Sequence, residues 1–107
     1  VTTIKMKPLS VNNAWQGKRF KSPVYTLYER SVMLLLPKLE IPDGNLQIDF
    51  EFGFSNKASD LDNPIKPFLD ILQKKYGFND SRVWKATILK TIVPKGSEFI
   101  KFNIFSI

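Results

Sequence analysis

Leu46, Ile48, Phe50 and Phe52 alternate with Gln47, Asp49 and Glu51, and the apolar series runs on to Phe54. Strand side chains point alternately to opposite faces, so this is a half-buried strand. Val1 to Lys7 alternates in the same way around Ile4 and Met6. Val83 to Val93 and Phe99 to Ile107 read as two further strands, and Pro94-Lys95-Gly96-Ser97 between them reads as a hairpin turn. The period changes twice. After Ser22-Pro23, a capping residue followed by a first-turn proline, Tyr25, Tyr28, Val32, Leu35, Leu36 and Leu39 fall at helical spacing. Pro37 should end that helix near Leu36, and Pro42-Asp43-Gly44-Asn45 is a turn. A second helix is expected from about Asn63 to Tyr76, with Ile65, Phe68, Leu69 and Leu72 as its buried stripe. Pro67 implies a late start or a distorted first turn, and Gly77 is a natural stop. Pro8 to Lys21 reads as a polar loop.

The predicted order is β-α-β-α-β-β. The simplest solution is an α+β domain of two layers, a four-stranded mixed sheet with both helices on one face. A chain of 107 residues supports one domain spanning 1–107. With 43% hydrophobic residues and nine phenylalanines it is globular. No apolar run approaches the roughly 20 residues of a membrane helix, and no signal-peptide pattern opens the chain.

The chain has no cysteine and no histidine. That excludes disulfides, thiolate metal sites, Ser-His-Asp triads and histidine-based general acid–base chemistry. Hydrolysis, if any, must run on carboxylates, lysine, metal and water. Sixteen Lys and Arg against ten Asp and Glu give a net charge of +6. Such a balance points to a polyanionic partner, most often nucleic acid, or else to a merely basic soluble surface.

The candidate chemistry lies in Asp60-Leu61-Asp62-Asn63-Pro64-Ile65-Lys66-Pro67-Phe68-Leu69-Asp70 and in Gly77-Phe78-Asn79-Asp80-Ser81-Arg82-Val83. Spacing alone is first of all that of an ordinary helix start. Asp62 or Asn63 would cap, Asp60 would belong to a turn, and Lys66 with Asp70 would be a solvated ion pair. In a regular helix Asp62, Lys66 and Asp70 would share one face. The alternative is an acidic metal site, since Mg²⁺ takes hard oxygen ligands and keeps several waters.

These two segments resemble the core of the RusA family of Holliday junction resolvases. Pro8-Leu9-Ser10-Val11-Asn12-Asn13 resembles the family's loop after its first strand, Tyr28-Glu29-Arg30 lies where it has a Tyr-Arg pair, and Val93-Pro94-Lys95-Gly96 resembles a later turn. The resemblance implies that Asp60, Asp62 and Asp80 bind a catalytic Mg²⁺, or Mn²⁺, and that Lys66 is the essential lysine. Asp70 matches a further acidic position, placed to support Lys66. Family members often carry Asp-Asp where this chain has Asn79-Asp80. The implied activity is cleavage of four-way DNA junctions by a cytoplasmic homodimer of phage or prophage origin.

Asn12, Asn13, Lys18, Arg19 and Lys21 are candidate phosphate contacts, which position nucleic acid without reading its sequence. Trp15 and Trp84 could stack on bases, although Trp84, opening a strand, is better placed for core or interface packing. Two other readings stay open. One is a module that binds branched DNA without cutting it; the other is a basic assembly protein.

Overall fold

The computed structural model describes residues 1–9, 15, 16 and 20–107, with 15, 16, 20 and 21 described as backbone only. Along the chain run β1 (Thr2–Ile4), β2 (Trp15–Gln16), β3 (Phe20–Lys21), α1 (Pro23–Leu35), β4 (Leu46–Phe54), α2 (Ile65–Tyr76), β5 (Val83–Ile92) and β6 (Phe99–Ser106). Four strands form the main sheet in the order β1-β6-β4-β5. The sheet is mixed, because β4 pairs parallel with β5 and antiparallel with β6. With α1 and α2 on one face, this is the α+β architecture expected from the hydrophobic pattern. The small ribbon β2–β3 is an addition within the segment read as a polar loop.

The core sits between β4 and the helices. Leu46, Ile48, Phe50, Phe52 and Phe54 are all buried, as their alternation requires. Phe68 of α2 stands edge-on to Phe50, Phe52 and Phe102, with ring centroids 6.3, 6.3 and 5.4 Å away. Such edge-to-face pairs add to the area each ring buries, and truncating a buried phenylalanine costs about 3–5 kcal/mol. The opposite face of β4 is polar. Gln47 Nε2 and Thr87 Oγ1 donate to Asp49 Oδ1 at 2.8 and 2.6 Å, and Thr91 Oγ1 donates to Glu51 at 2.6 Å.

Local chemistry sets the helix ends. Ser22 Oγ accepts the Tyr25 N–H at 3.1 Å, and Pro23 opens α1. Leu36 is extended at φ −71°, ψ 128°, since a residue before proline is pushed out of the helical region. Its own side chain then drops into the core, while Leu35 and Leu39, which share the helical spacing, are exposed. α2 starts late, at Ile65, with Pro67 at its third position. First-turn N–H groups have no acceptor within the helix, so proline forfeits nothing there. Its buried residues are Pro67, Phe68, Ile71 and Leu72, so Ile71 joins the stripe while Ile65 and Leu69 are only partly buried. Gly77 ends α2 at φ 70°, a left-handed conformation that glycine adopts without strain.

Two expectations are corrected. Pro94 to Ser97 is a turn, closed by the Ser97 N–H on the Pro94 carbonyl at 2.9 Å, but β5 and β6 are not a hairpin. They flank β4 on opposite sides, so the turn carries the chain across the end of β4. Of the core or interface packing expected for Trp84, the core is excluded: the side chain is 71% exposed. It lies at the register shift between Leu46 and Gln47, where Val83 and Lys85 have partners on β4 and Trp84 has none. Among the described residues, no helix is long and apolar enough to cross a membrane.

Candidate acidic site at the start of the second helix

Ser55 to Pro64 carries the chain from β4 to α2, and short local bonds give it shape. Asn56 Oδ1 accepts the Ala58 N–H at 2.9 Å, and the Asn56 carbonyl accepts the Ser59 N–H at 3.2 Å. Asn63 Nδ2 donates to Asp60 Oδ2 at 2.7 Å, and the Ile65 N–H donates to the Asp62 carbonyl at 3.1 Å. The loop is tied to the sheet by Lys90 of β5, whose Nζ donates to the Lys57 carbonyl at 2.7 Å and to the Ser59 carbonyl. Lys90 is thus a residue of the site that the sequence did not single out. Nothing in a lysine within an edge strand announces that its partners lie about thirty residues earlier.

Asp60 and Asp62 are both exposed, and among the described residues neither carboxylate is in an ion pair. Lys66 follows in the first turn of α2 and reaches Asp70 at 3.7 Å, an i,i+4 pair on the helix surface. Asp62 precedes the helix, so the single face expected for Asp62, Lys66 and Asp70 reduces to the last two. Pro64, rather than Asp62 or Asn63, occupies the capping position, and no side chain caps α2.

Asp80 lies elsewhere. It opens a short 3₁₀ turn, Asp80–Arg82, immediately before β5. Strands β4 and β5 are parallel, so the loop that leaves β4 and the loop that enters β5 are at opposite ends of the sheet. The 12 residues of α2 run between them, about 18 Å along the helix axis at 1.5 Å per residue. The structure therefore brings Asp60, Asp62 and Lys66 to one end and leaves Asp80 at the other. Among the described residues, no group of three acidic side chains could hold a metal ion.

The Asp80 end has its own order. Asn79 Oδ1 accepts the Ser81 N–H at 2.8 Å and caps the turn. An aspartate oxygen would accept the same bond, so asparagine at this position keeps the local structure. The Asp80 N–H donates to Gln73 Oε1 at 2.9 Å, and Arg82 donates to the carbonyls of Gly44 (3.0 Å) and Pro42.

A cleft of about 670 Å³ adjoins Asp60, with Lys7, Leu9, Val24, Tyr28 and Asn56 among its walls. Lys7 is thus a second cation beside the acidic loop, at a position that the alternation of the first strand marks only as polar. Tyr28 is buried, which pushes its phenol pKa up, with a smaller opposing effect from the Leu9 backbone. Asn12, Asn13, Lys18 and Arg19 lie outside the described residues, as do the side chains of Lys21 and Trp15.

Mg²⁺ is commonly held by one or two carboxylates together with waters and substrate phosphate oxygens. Asp60 and Asp62 fit that donor set: both are hard, exposed oxygen donors on one ordered loop. A three-carboxylate site that includes Asp80 does not fit a single chain. No protein-family model matches this chain, and no curated protein matches it.

Proposed function

We propose that this chain is a Mg²⁺-dependent, structure-selective endodeoxyribonuclease of the RusA kind, which cuts four-way DNA junctions as a cytoplasmic homodimer. The observation that carries the reading is the pairing of Asp60 and Asp62 on one ordered loop, with Lys66 in the adjoining helical turn. The net charge of +6 adds a general attraction for DNA.

The roles follow from position. Asp60 and Asp62 would hold the metal, and Asn63 orients the Asp60 carboxylate through its 2.7 Å bond. Bound there, Mg²⁺ would polarise a phosphoryl oxygen and lower the pKa of a water. Lys66 offers its ammonium to charge developing on the scissile phosphate, and Asp70 restrains that side chain from one turn further on. Lys90 fixes the carbonyls just before Asp60, so the loop is ordered before substrate arrives. With no histidine in the chain, proton transfer is left to water and carboxylates.

The test is a synthetic four-way junction with the wild-type protein and with Asp60→Asn and Asp62→Asn. Each variant should stop cutting while binding as well or better, because a carboxylate near phosphate repels it. EDTA should stop the wild type. A variant that cuts at the wild-type rate removes that residue from the site. One observation favours a second reading: the three implied carboxylates do not meet in one chain. A binding module would hold the junction and leave it intact in both Mg²⁺ and Mn²⁺.

A further inference from the structure

The cleft of about 670 Å³ beside Asp60 has two kinds of wall. Leu9, Val24, Tyr28 and Phe54 make an apolar side, and the acidic loop with Lys7 makes a polar one. On the polar side the acceptors are already engaged. Asn56 Oδ1 accepts the Ala58 N–H at 2.9 Å, the Ser59 carbonyl accepts from Lys90, and Asp60 Oδ2 accepts from Asn63 at 2.7 Å. What these bonds leave is donors. With its oxygen held, the Asn56 amide offers Nδ2. Among the described residues the Lys7 ammonium is in no ion pair. Glu98 feels its charge but accepts instead from Ser55 Oγ and the Gly96 N–H, at 2.9 and 2.7 Å.

From this we infer that the cleft is a nucleotide pocket. It takes one unstacked deoxynucleotide, with the base against the Leu9 and Val24 wall, a base carbonyl on Asn56 Nδ2 and a phosphate on Lys7. That this nucleotide flanks the scissile phosphate rests on the nuclease reading; the binding of a nucleotide does not. Size agrees with the assignment. Ligand clefts run from about 300 to 1,000 Å³, with mostly apolar walls and a few fixed polar groups. At about 670 Å³ this one holds a single nucleotide and has no room for a duplex.

The donor pattern sets the selection. A phosphate on a lysine is a point-charge contact, which holds the strand without reading it. An amide donor does read. Thymine, guanine and cytosine each carry a ring carbonyl, and adenine carries none. Asn56 therefore sets a preference against adenine, and Lys7 supplies affinity common to every base. Taking a base out of its stack costs least where it is already unpaired. The pocket thus favours a branch point over continuous duplex.

Titration of the full chain in EDTA with thymidine 5′-monophosphate, followed by amide chemical shifts, tests the pocket without any cleavage. The Asn56, Ala58 and Ser59 amides should shift and saturate at millimolar ligand, and the adenine counterpart should bind more weakly. Lys7→Met should weaken the monophosphate about tenfold, to the affinity of thymidine, and leave thymidine itself unchanged. Asn56→Asp keeps the oxygen that holds the Ala58 N–H and removes only the Nδ2 donor. It should weaken thymidine as well and erase the preference over adenine, while an unshifted Ala58 amide shows that the turn survives. Shifts outside the cleft, or none, overturn the inference, as does an Asn56→Asp chain that binds like the wild type. Inorganic phosphate that matches the monophosphate in shifts and affinity would make this an anion site only and overturn it too. If the wild type binds the nucleotide here but cuts no junction, the nuclease reading fails and the pocket stands. If it cuts junctions while the nucleotide leaves the cleft untouched, the pocket alone fails.

Discussion

Lys90→Met removes an ammonium and keeps an unbranched stem of similar length. In the folded protein that ammonium holds the carbonyls of Lys57, at 2.7 Å, and of Ser59. A hydrogen bond to a charged group contributes about 1.5–3 kcal/mol when shielded. Lys90 is partly exposed, and solvent screening reduces that figure, so we expect about 1–2 kcal/mol lost for the pair of bonds. The larger effect should be local. Ser59 adjoins Asp60, so freeing its carbonyl lets the acidic loop move. A displacement of about 1 Å can lower a rate a hundredfold, so junction cleavage should fall about 10- to 100-fold. Binding should change little, because Lys90 is committed to the loop and not to DNA. Urea denaturation gives the global loss, and amide exchange gives the local one. The Ser59 and Ile65 N–H groups, bonded to the carbonyls of Asn56 and Asp62, should exchange faster in the variant. Wild-type exchange at both amides, together with unchanged stability, would refute the idea that Lys90 orders this loop.

Gly53→Ala tests the polar face of the sheet: a Cβ there would lie 2.4 Å from Phe99 Cδ1 and Cε1. Overpacking costs about 1–3 kcal/mol, less the ~0.5–1 kcal/mol gained by replacing a strand glycine, and Phe99→Ala in the same chain should relieve it; a variant as stable as wild type would show that the ring is not fixed over Gly53. Asp49 is held below the usual carboxylate range by the Thr87 hydroxyl first and then by Gln47. That contribution is therefore complete above the unfolded value of about pH 4 and is lost as pH falls through the lower folded value. Asp49→Asn should flatten the acid limb of a plot of urea midpoint against pH, and coincident limbs would count against it.

The elements were legible in the sequence because each is fixed by local chemistry. Alternation from Leu46 to Phe54 defines which face of β4 is buried, and burial follows it at every even position. Ser22 and Pro23 start α1, Pro37 ends it through the residue before it, and Gly77 stops α2. The acidic loop was legible too, as a pair of aspartates just ahead of a helix. Strand neighbours were not. A turn sequence such as Pro94 to Ser97 bends the chain in the same way whether the flanking strands pair or go their separate ways. What separated them is β4, the most buried of the strands, which buries best with a neighbour on each side and so stands between β5 and β6. That choice makes β4 and β5 parallel, sends Asp80 to the far end of the sheet from Asp60, and brings Lys90 under the acidic loop. Local patterns act over a few residues, whereas strand order is decided by the burial of whole faces. Sequence therefore identified the acidic residues, and tertiary structure alone decided which of them can meet within one chain.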